Sequence, residues 1–184
     1  MPKFWQRKPE ILLLPNIPKP LHGINPRTVL GAKWWNQERK EAYASTNFHC
    51  EACGIAKDEI KKRKILEGHE LYNTDYSTGR LYYVRTTPLC SLCHQFLHDG
   101  RLTWLLETRQ ISSYYFSAVL KHGHRVLEEA GLRRPSLQER GAYLAMLLEK
   151  GKIAPWSEWR LVVNGNEYLP RIADPKEFND YYRD

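Results

Sequence analysis

The chain has 184 residues, enough for one ordinary domain or for a small module with terminal extensions, and too few for two full domains. Hydrophobic residues make up 42% and charged residues 27%, which excludes a wholly disordered or fibrous chain. Lys and Arg outnumber Asp and Glu by 28 to 21, and the resulting net charge of +7 favours a polyanionic partner such as nucleic acid.

No apolar run in the sequence reaches the roughly 18 residues that a membrane-spanning helix needs. The apolar run near the start, Ile11–Leu14, ends at Pro15. We therefore predict no signal peptide and no membrane anchor, and we expect a cytoplasmic protein.

The first 27 residues are rich in proline, which predicts an extended arm without helix over residues 1–27. A helix is predicted to follow, with Asn25 as its N-cap and Pro26 at its first helical position. The pattern carries this helix to about Ala44, directly before the first cysteine.

The four cysteines fall in two pairs of equal spacing, Cys50-Glu-Ala-Cys53 and Cys90-Ser-Leu-Cys93. A two-residue gap lets both thiolates of one turn reach the same tetrahedral ion, so the pairs predict a structural zinc site. Four thiolates leave no open coordination position, and this zinc is therefore not expected to be catalytic. Two disulfides are the alternative, which fits less well because nothing in the sequence indicates secretion.

A basic cluster and a hairpin are predicted between the two cysteine pairs. The cluster is a candidate nucleic-acid contact, with a solvated face as the alternative, and consists of Lys61, Lys62 and Arg63. Strands are predicted over Ile65–Tyr76 and Arg80–Arg85, because these runs are rich in Tyr, Leu and Val and flank the turn Ser77-Thr78-Gly79.

The second cysteine pair opens a short predicted helix, Cys93–Leu97, which Asp99-Gly100 is expected to stop. Another helix is predicted over Ser113–Ala130 from its apolar stripe. The capping box from Ser136 to Glu139 predicts one more helix. Its expected buried face consists of Leu137, Leu144, Leu147 and Leu148. Near the C-terminus, Asn164-Gly165 between apolar runs predicts a second hairpin.

Three histidines have a spacing that suits an ion site. His94 and His98 are four residues apart on a predicted helix, so both imidazoles project from one face within reach of a single ion. His69, followed by Glu70, lies on the strand that leads back to the same helix. The other four histidines are predicted to be structural or solvent-facing: His22, His49, His122 and His124.

Trp34 and Trp35 are predicted to pack on a core, with base stacking as the alternative.

The order Cys-x-x-Cys, His-Glu on a strand, and Cys-x-x-Cys-His-x-x-x-His resembles the HNH endonuclease family over about residues 48–100. The run Leu89-Cys90-Ser91-Leu92-Cys93-His94 carries much of this likeness. The resemblance implies a ββα-metal core in which a hairpin and one helix hold a single divalent ion and a strand histidine activates water. The resemblance also implies that His94 and His98 bind the catalytic ion. It implies that the structural zinc is bound by Cys50, Cys53, Cys90 and Cys93.

The sequence departs from the family pattern at two places. The family has an acidic or histidine ligand directly before its general-base histidine, where this chain has Gly68. Two registers stay open: either His69 is the base, or His69 is the third ligand and Glu70 is the base. The family's middle asparagine is also absent, and a threonine hydroxyl is its nearest substitute at the positions Arg85, Thr86 and Thr87.

We predict an α+β fold with a ββα-metal (HNH) core and a four-cysteine zinc knuckle: an arm at 1–27, a nuclease domain at 28–110 and a helical extension at 111–184 that ends in a hairpin. The predicted function is metal-dependent hydrolysis of phosphodiester bonds in DNA, with Mg²⁺ or another divalent ion at the catalytic site. One alternative is a non-catalytic zinc-finger-like module that binds nucleic acid or protein. Another is a nuclease subunit that docks through its arm or C-terminal region. Family analogy suggests bacterial or phage origin.

Overall fold

A computed structural model describes residues 5–60, 65–172 and 174–181. These residues have a mixed α+β fold, as predicted. Their helices are α1 Pro26–Ser45, α2 Ser91–Leu97, α3 Asp99–Glu107, α4 Ser113–Glu128, α5 Leu137–Glu149 and α6 Pro175–Tyr181. Their strands are β1 Glu67–Asp75, β2 Arg80–Leu89, β3 Arg160–Val163 and β4 Asn166–Tyr168. Within these ranges, no helix combines the length and apolar character required to cross a bilayer.

The four strands form one sheet in the order β1-β2-β3-β4. The predicted first hairpin is confirmed, with β2 extending to Leu89. Asp75 stabilises the turn between β1 and β2, because one of its carboxylate oxygens accepts hydrogen bonds from the backbone N–H groups of Ser77 and Thr78. Strand β3 joins β2 in parallel, with Leu161 opposite Leu81. The sequence pattern did not predict this pairing, because residues far apart in the chain make it.

The second predicted hairpin, between β3 and β4, is also confirmed. Its turn residues Asn164 and Gly165 both have positive φ, 52° and 79°. Such angles suit the tight two-residue turns that match the twist of the flanking strands, and Asn-Gly adopts them at low cost. Val163 and Asn166 pair directly across the turn.

The chain divides into two compact units. We call the first the knuckle unit: Met1–Asn16, Arg39–His69 and Thr86–Pro135. We call the second the sheet unit: Ile17–Glu38, Glu70–Arg85 and Ser136–Asp184. The core of the sheet unit is formed by Leu21, Leu81, Ala154, Trp159, Leu161 and Val163.

The prediction of an extended arm without helix is wrong at two places. Pro9–Leu13 and Lys19–Leu21 form 3₁₀ turns, in which Leu12 and Leu21 are fully buried. Each turn has a proline in its first two positions, where the missing N–H costs no intrahelical hydrogen bond. Proline spacing alone did not reveal how much apolar surface the intervening leucines bury.

Helix α1 begins as predicted at Pro26. The side-chain oxygen of Asn25 accepts a hydrogen bond from the backbone N–H of Thr28, 2.9 Å away, which is the expected N-cap geometry. The helix is kinked at Gly31, whose φ of 84° interrupts the helical backbone. Trp35 is buried, as the core-packing interpretation predicts, and Trp34 makes an edge contact with Tyr83.

The predicted buried face of α5 is wrong. The capping box that starts the helix is present, because Ser136 and Glu139 each accept the other's backbone N–H. Leu147 is 9% exposed, but Leu137 and Leu148 are 72% and 66% exposed. Leucines at helical spacing show where a stripe lies, and the spacing does not say whether a neighbouring element covers it.

Helix α2 ends at Leu97, as predicted, but Asp99-Gly100 does not form the predicted stop, because α3 begins at Asp99. Only His98, with φ −89° and ψ 51°, separates α2 from α3. The guanidinium of Arg134 stabilises this break. It donates to the backbone carbonyls of Phe96 and Leu97 at the end of α2 and pairs with the carboxylate of Asp99 at 3.2 Å. Arg134 lies far along the chain, so the local pattern gave no sign of it.

Gly123 permits the close contact between α4 and α2 in the knuckle unit. A Cβ atom at this position would lie 2.2 Å from two ring atoms of Phe96, which is itself 1% exposed and cannot easily move away. We expect Gly123→Ala to lower the free energy of unfolding by about 1–3 kcal/mol, the usual cost of overpacking a core. Urea denaturation measures this change.

The matched control for Gly123→Ala is Gly141→Ala. Gly141 lies inside α5, and a Cβ there would meet no atom within 4 Å. Alanine should therefore stabilise α5 by about 0.5–1 kcal/mol through its better helix propensity. Equal unfolding midpoints for Gly123→Ala and the wild type would contradict the close contact of α4 with Phe96.

Candidate metal centres

The first cysteine pair lies in a tight turn after α1. The backbone N–H of Cys50 donates to the carbonyl of Ile55, and that of Gly54 donates to the carbonyl of Cys50, both at 2.9 Å. Gly54 has a φ of +83°, a conformation that suits glycine. This folding of the backbone brings Cys50 and Cys53 to the same side of the turn.

The second pair lies where β2 passes into α2. Cys90 is the N-cap of α2, and Cys93 lies in its first turn. The two pairs are linked through Glu51, whose backbone N–H donates to the carbonyl of Pro88 at 2.8 Å. Its buried carboxylate accepts the hydroxyl of Thr87 at 2.6 Å. Thr87, one of the two threonines considered as substitutes for the missing asparagine, therefore contacts the cysteine turn.

The four sulfur atoms lie within 4.8 Å of one another. Sγ of Cys53 is 3.7 Å from Sγ of Cys90, well beyond a disulfide bond, and all four cysteines are free. Cys50, Cys90 and Cys93 are buried. The cluster is positioned to hold a metal ion, and its donor set is compatible with a structural zinc ion.

Three imidazoles form a second cluster, and their candidate ligand atoms also lie within 4.8 Å of one another. His69 comes from β1, His94 from α2 and His98 from the break between α2 and α3. Their ring centroids are separated by 5.3 Å for His69 and His94, 5.0 Å for His69 and His98, and 4.7 Å for His94 and His98. The structure thus brings together all three histidines that the sequence analysis selected.

The surroundings keep two of these imidazoles neutral. Burial lowers the pKa of His69 well below its ordinary value, and the neighbouring His98 and His94 add to the effect. Burial, followed by the neighbouring His94, also lowers the pKa of His98, to about 4. A neutral imidazole offers a lone pair to a metal ion at neutral pH. Nδ1 of His69 is buried and has no hydrogen-bond partner among the described residues, which fits a role as a metal ligand.

Glu67 is a residue beside the histidine cluster that the sequence did not single out. Its Oε2 lies 2.8 Å from Nδ1 of His94, and its Oε1 accepts the hydroxyl of Ser91 at 2.7 Å. The imidazole of His94 beside it lowers the pKa of Glu67, and burial opposes this effect. Glu67 and His69 are two residues apart in β1, so strand alternation places them on one face. That spacing was the available signal.

His122 was also missed, since it was predicted to be structural or solvent-facing. Its Nε2 lies 3.3 Å from Sγ of Cys93 and 3.9 Å from Sγ of Cys90. No sequence signal was available, because the contact depends on the packing of α4 against α2. His22 and His49 have backbone carbonyls as partners. His124 makes an edge contact with the ring of Phe96.

Two further site elements of the sequence analysis stay predictions, for different reasons. Lys61, Lys62 and Arg63 lie outside the described residues, so their nucleic-acid contact stays a prediction. Glu70 directly follows His69 in β1, and strand alternation points these two side chains to opposite faces. Its role as a base also stays a prediction.

Comparison with known protein families, with curated proteins and with solved structures found no match for this chain. The likeness to HNH endonucleases therefore depends on the motif alone. What the structure adds is the convergence of the motif's cysteines and histidines on two separate centres.

Proposed function

We propose that this protein is a metal-dependent endonuclease of the HNH type, which hydrolyses phosphodiester bonds in DNA. The observation that carries the proposal is the convergence of His69, His94 and His98 from a strand and from the helix that follows the second cysteine pair. A hairpin followed directly by a helix is the arrangement that the family resemblance implies, and β1, β2 and α2 follow one another in that order.

In this proposal the two centres have different tasks. The cysteine cluster holds a structural zinc ion, since four thiolates saturate a tetrahedral ion. The histidine cluster holds the catalytic ion, since three protein ligands leave positions open for water and for a phosphate oxygen. When bound there, the ion lowers the pKa of water and neutralises charge on the scissile phosphate.

The donor set of the histidine cluster bears on the identity of the ion. Mg²⁺ prefers oxygen ligands, whereas imidazole nitrogens suit Zn²⁺, Mn²⁺ or Ni²⁺. We therefore place a transition metal ahead of Mg²⁺ at this centre. The carboxylate of Glu67 beside His94, itself held by Ser91, orients the imidazole for such an ion.

The excess of positive charge supports DNA as the substrate. With 28 basic against 21 acidic residues, the chain attracts a polyanion at long range, and phosphate contacts dominate the affinity of most DNA-binding proteins. The net positive charge does not determine which DNA sequence is recognised. It favours a partner whose backbone, rather than its bases, supplies most of the binding free energy.

A plasmid-cleavage assay tests the proposal. The protein is freed of loosely bound ions while its zinc is retained, and is then supplied in turn with Mn²⁺, Ni²⁺, Zn²⁺ and Mg²⁺. We expect nicking or linearisation of supercoiled plasmid with at least one transition metal, and none without an added ion. His94→Ala should be inactive, and His124→Ala, an exposed histidine on α4, should match the wild type. Inactivity with every ion would favour the non-catalytic zinc-binding module.

A further inference from the structure

The imidazole of His122 lies against the cysteine cluster without belonging to it. Its Nε2 is 3.3 Å from Sγ of Cys93 and 3.9 Å from Sγ of Cys90. Both separations permit an N–H···S hydrogen bond, which is longer than an N–H···O bond because sulfur is the larger atom. The mutually close group of ligand atoms consists of the four sulfurs and does not include His122.

A zinc ion bound by four thiolates carries a net charge of −2, because four negative charges exceed the two positive charges of the ion. Cys50, Cys90 and Cys93 are buried, so much of this charge is removed from water. Burying charge is costly unless hydrogen-bond donors compensate it. An imidazole N–H directed at the sulfur of Cys93 supplies such compensation.

The packing of α4 explains why His122 reaches the cluster. The next residue, Gly123, has no side chain, and this lets the backbone of α4 approach the ring of Phe96 on α2. Cys93 and Phe96 both belong to α2, so the close approach also brings His122 to the sulfur of Cys93. Gly123 is buried while His122 is half-buried beside it.

We propose that His122 is a positioning residue of the zinc site, which donates its Nε2–H to the zinc-bound thiolate of Cys93. The bond spreads the negative charge of the cluster, raises its affinity for zinc and makes the Cys93 sulfur less reactive toward oxidants and alkylating reagents. This inference rests on the zinc ion of the proposed function. It does not depend on nuclease activity.

Three variants of the full-length zinc protein test the inference. His122→Phe keeps a ring and removes the donor, His122→Gln keeps an N–H donor, and His124→Phe changes an exposed histidine two residues away. Transfer of zinc to a chromogenic chelator measures affinity. We expect His122→Phe to bind zinc about 10–100-fold more weakly, the usual cost of losing such a partner, and the other two variants to stay near the wild type.

Two further readouts separate a hydrogen-bond donor from a structural residue or a ligand. Mass spectrometry should find faster alkylation of Cys93 in His122→Phe than in His124→Phe. The Co²⁺-substituted wild type and His122→Phe should have sulfur-to-metal charge-transfer bands of equal intensity, because both keep four thiolates. Equal zinc affinity and equal alkylation rates would overturn the inference. A Co²⁺ spectrum that reveals a lost nitrogen ligand would overturn it too.

The zinc content of the wild-type protein distinguishes a failure of this inference from a failure of the proposed function. If the wild-type protein contains no zinc, the zinc part of the proposed function fails and the role of His122 fails with it. If the wild type holds zinc and His122→Phe holds it equally well, only the role of His122 fails. His122→Gln keeps the test decisive where the phenylalanine variant is poorly folded, because it should fold and retain zinc.

Discussion

Cys90→Ser should release zinc and leave the knuckle unit unfolded. Cys90 follows β2, is the N-cap residue of α2 and has its sulfur 3.7 Å from the sulfur of Cys53, so its loss removes one of the four sulfurs that would hold the ion and join the two cysteine turns. A structural zinc site contributes folding free energy on the order of 10 kcal/mol in small modules, which exceeds what this unit can lose and remain folded. Elemental analysis and circular dichroism of the purified variant measure the two effects.

Controls for this experiment come from the same unit. Cys50→Ser, Cys53→Ser and Cys93→Ser should behave as Cys90→Ser does, because all four sulfurs lie within 4.8 Å of one another and would bind the same ion. Ser117→Ala, an exposed position on α4, should keep both zinc and structure. Detection of two disulfides by mass under non-reducing conditions, or of a folded Cys90→Ser protein, would reject the zinc site.

His69→Ala should weaken binding of the catalytic ion as strongly as His94→Ala does. The sequence left two registers open, with His69 either as the base or as the third ligand. Its ring lies 5.0 and 5.3 Å from those of His98 and His94, and its buried Nδ1 has no hydrogen-bond partner within the described part of the chain, both of which favour the ligand role. Calorimetric titration with Mn²⁺ or Zn²⁺ measures the loss of affinity, and plasmid cleavage measures the accompanying loss of activity.

Glu70→Gln completes this comparison. Because strand alternation turns Glu70 away from the face that carries His69, we expect the variant to retain ion affinity. In the register that makes His69 a ligand, Glu70 is the base, and a positioned base typically contributes about 10²–10⁴-fold to a rate, so the cleavage rate of Glu70→Gln should fall by that much. An unchanged cleavage rate would take this role from Glu70. An inactive His69→Ala protein with intact ion affinity would instead make His69 the base.

The sequence predicted those parts of the fold that depend on neighbouring residues. Cysteine spacing indicated that the two cysteine turns lie together, and the Ser77-Thr78-Gly79 and Asn164-Gly165 turns indicated both hairpins. The His94 and His98 spacing indicated the second centre. Each of these signals acts within a few residues, where backbone geometry fixes which side chains can meet.

Several of the missed features depend on contacts between distant segments. His122 reaches Cys93 because α4 packs on α2, and Leu161 pairs with Leu81 across 80 positions of sequence numbering. The exposure of Leu137 depends on what else packs beside α5. Hydrophobic spacing is the same in a covered and an uncovered helix, so no reading of one segment could decide these cases.

Arg134 shows how far the histidine centre depends on chain outside its motif. A fragment that ended at Gly100 would keep the four cysteines and the three histidines. It would lack the guanidinium that binds the carbonyls of Phe96 and Leu97 and the carboxylate of Asp99, on either side of His98. The motif contains the candidate ligands, but the break between α2 and α3 at His98 is held by an arginine 36 residues further along the chain, which has no chemical part in the centre.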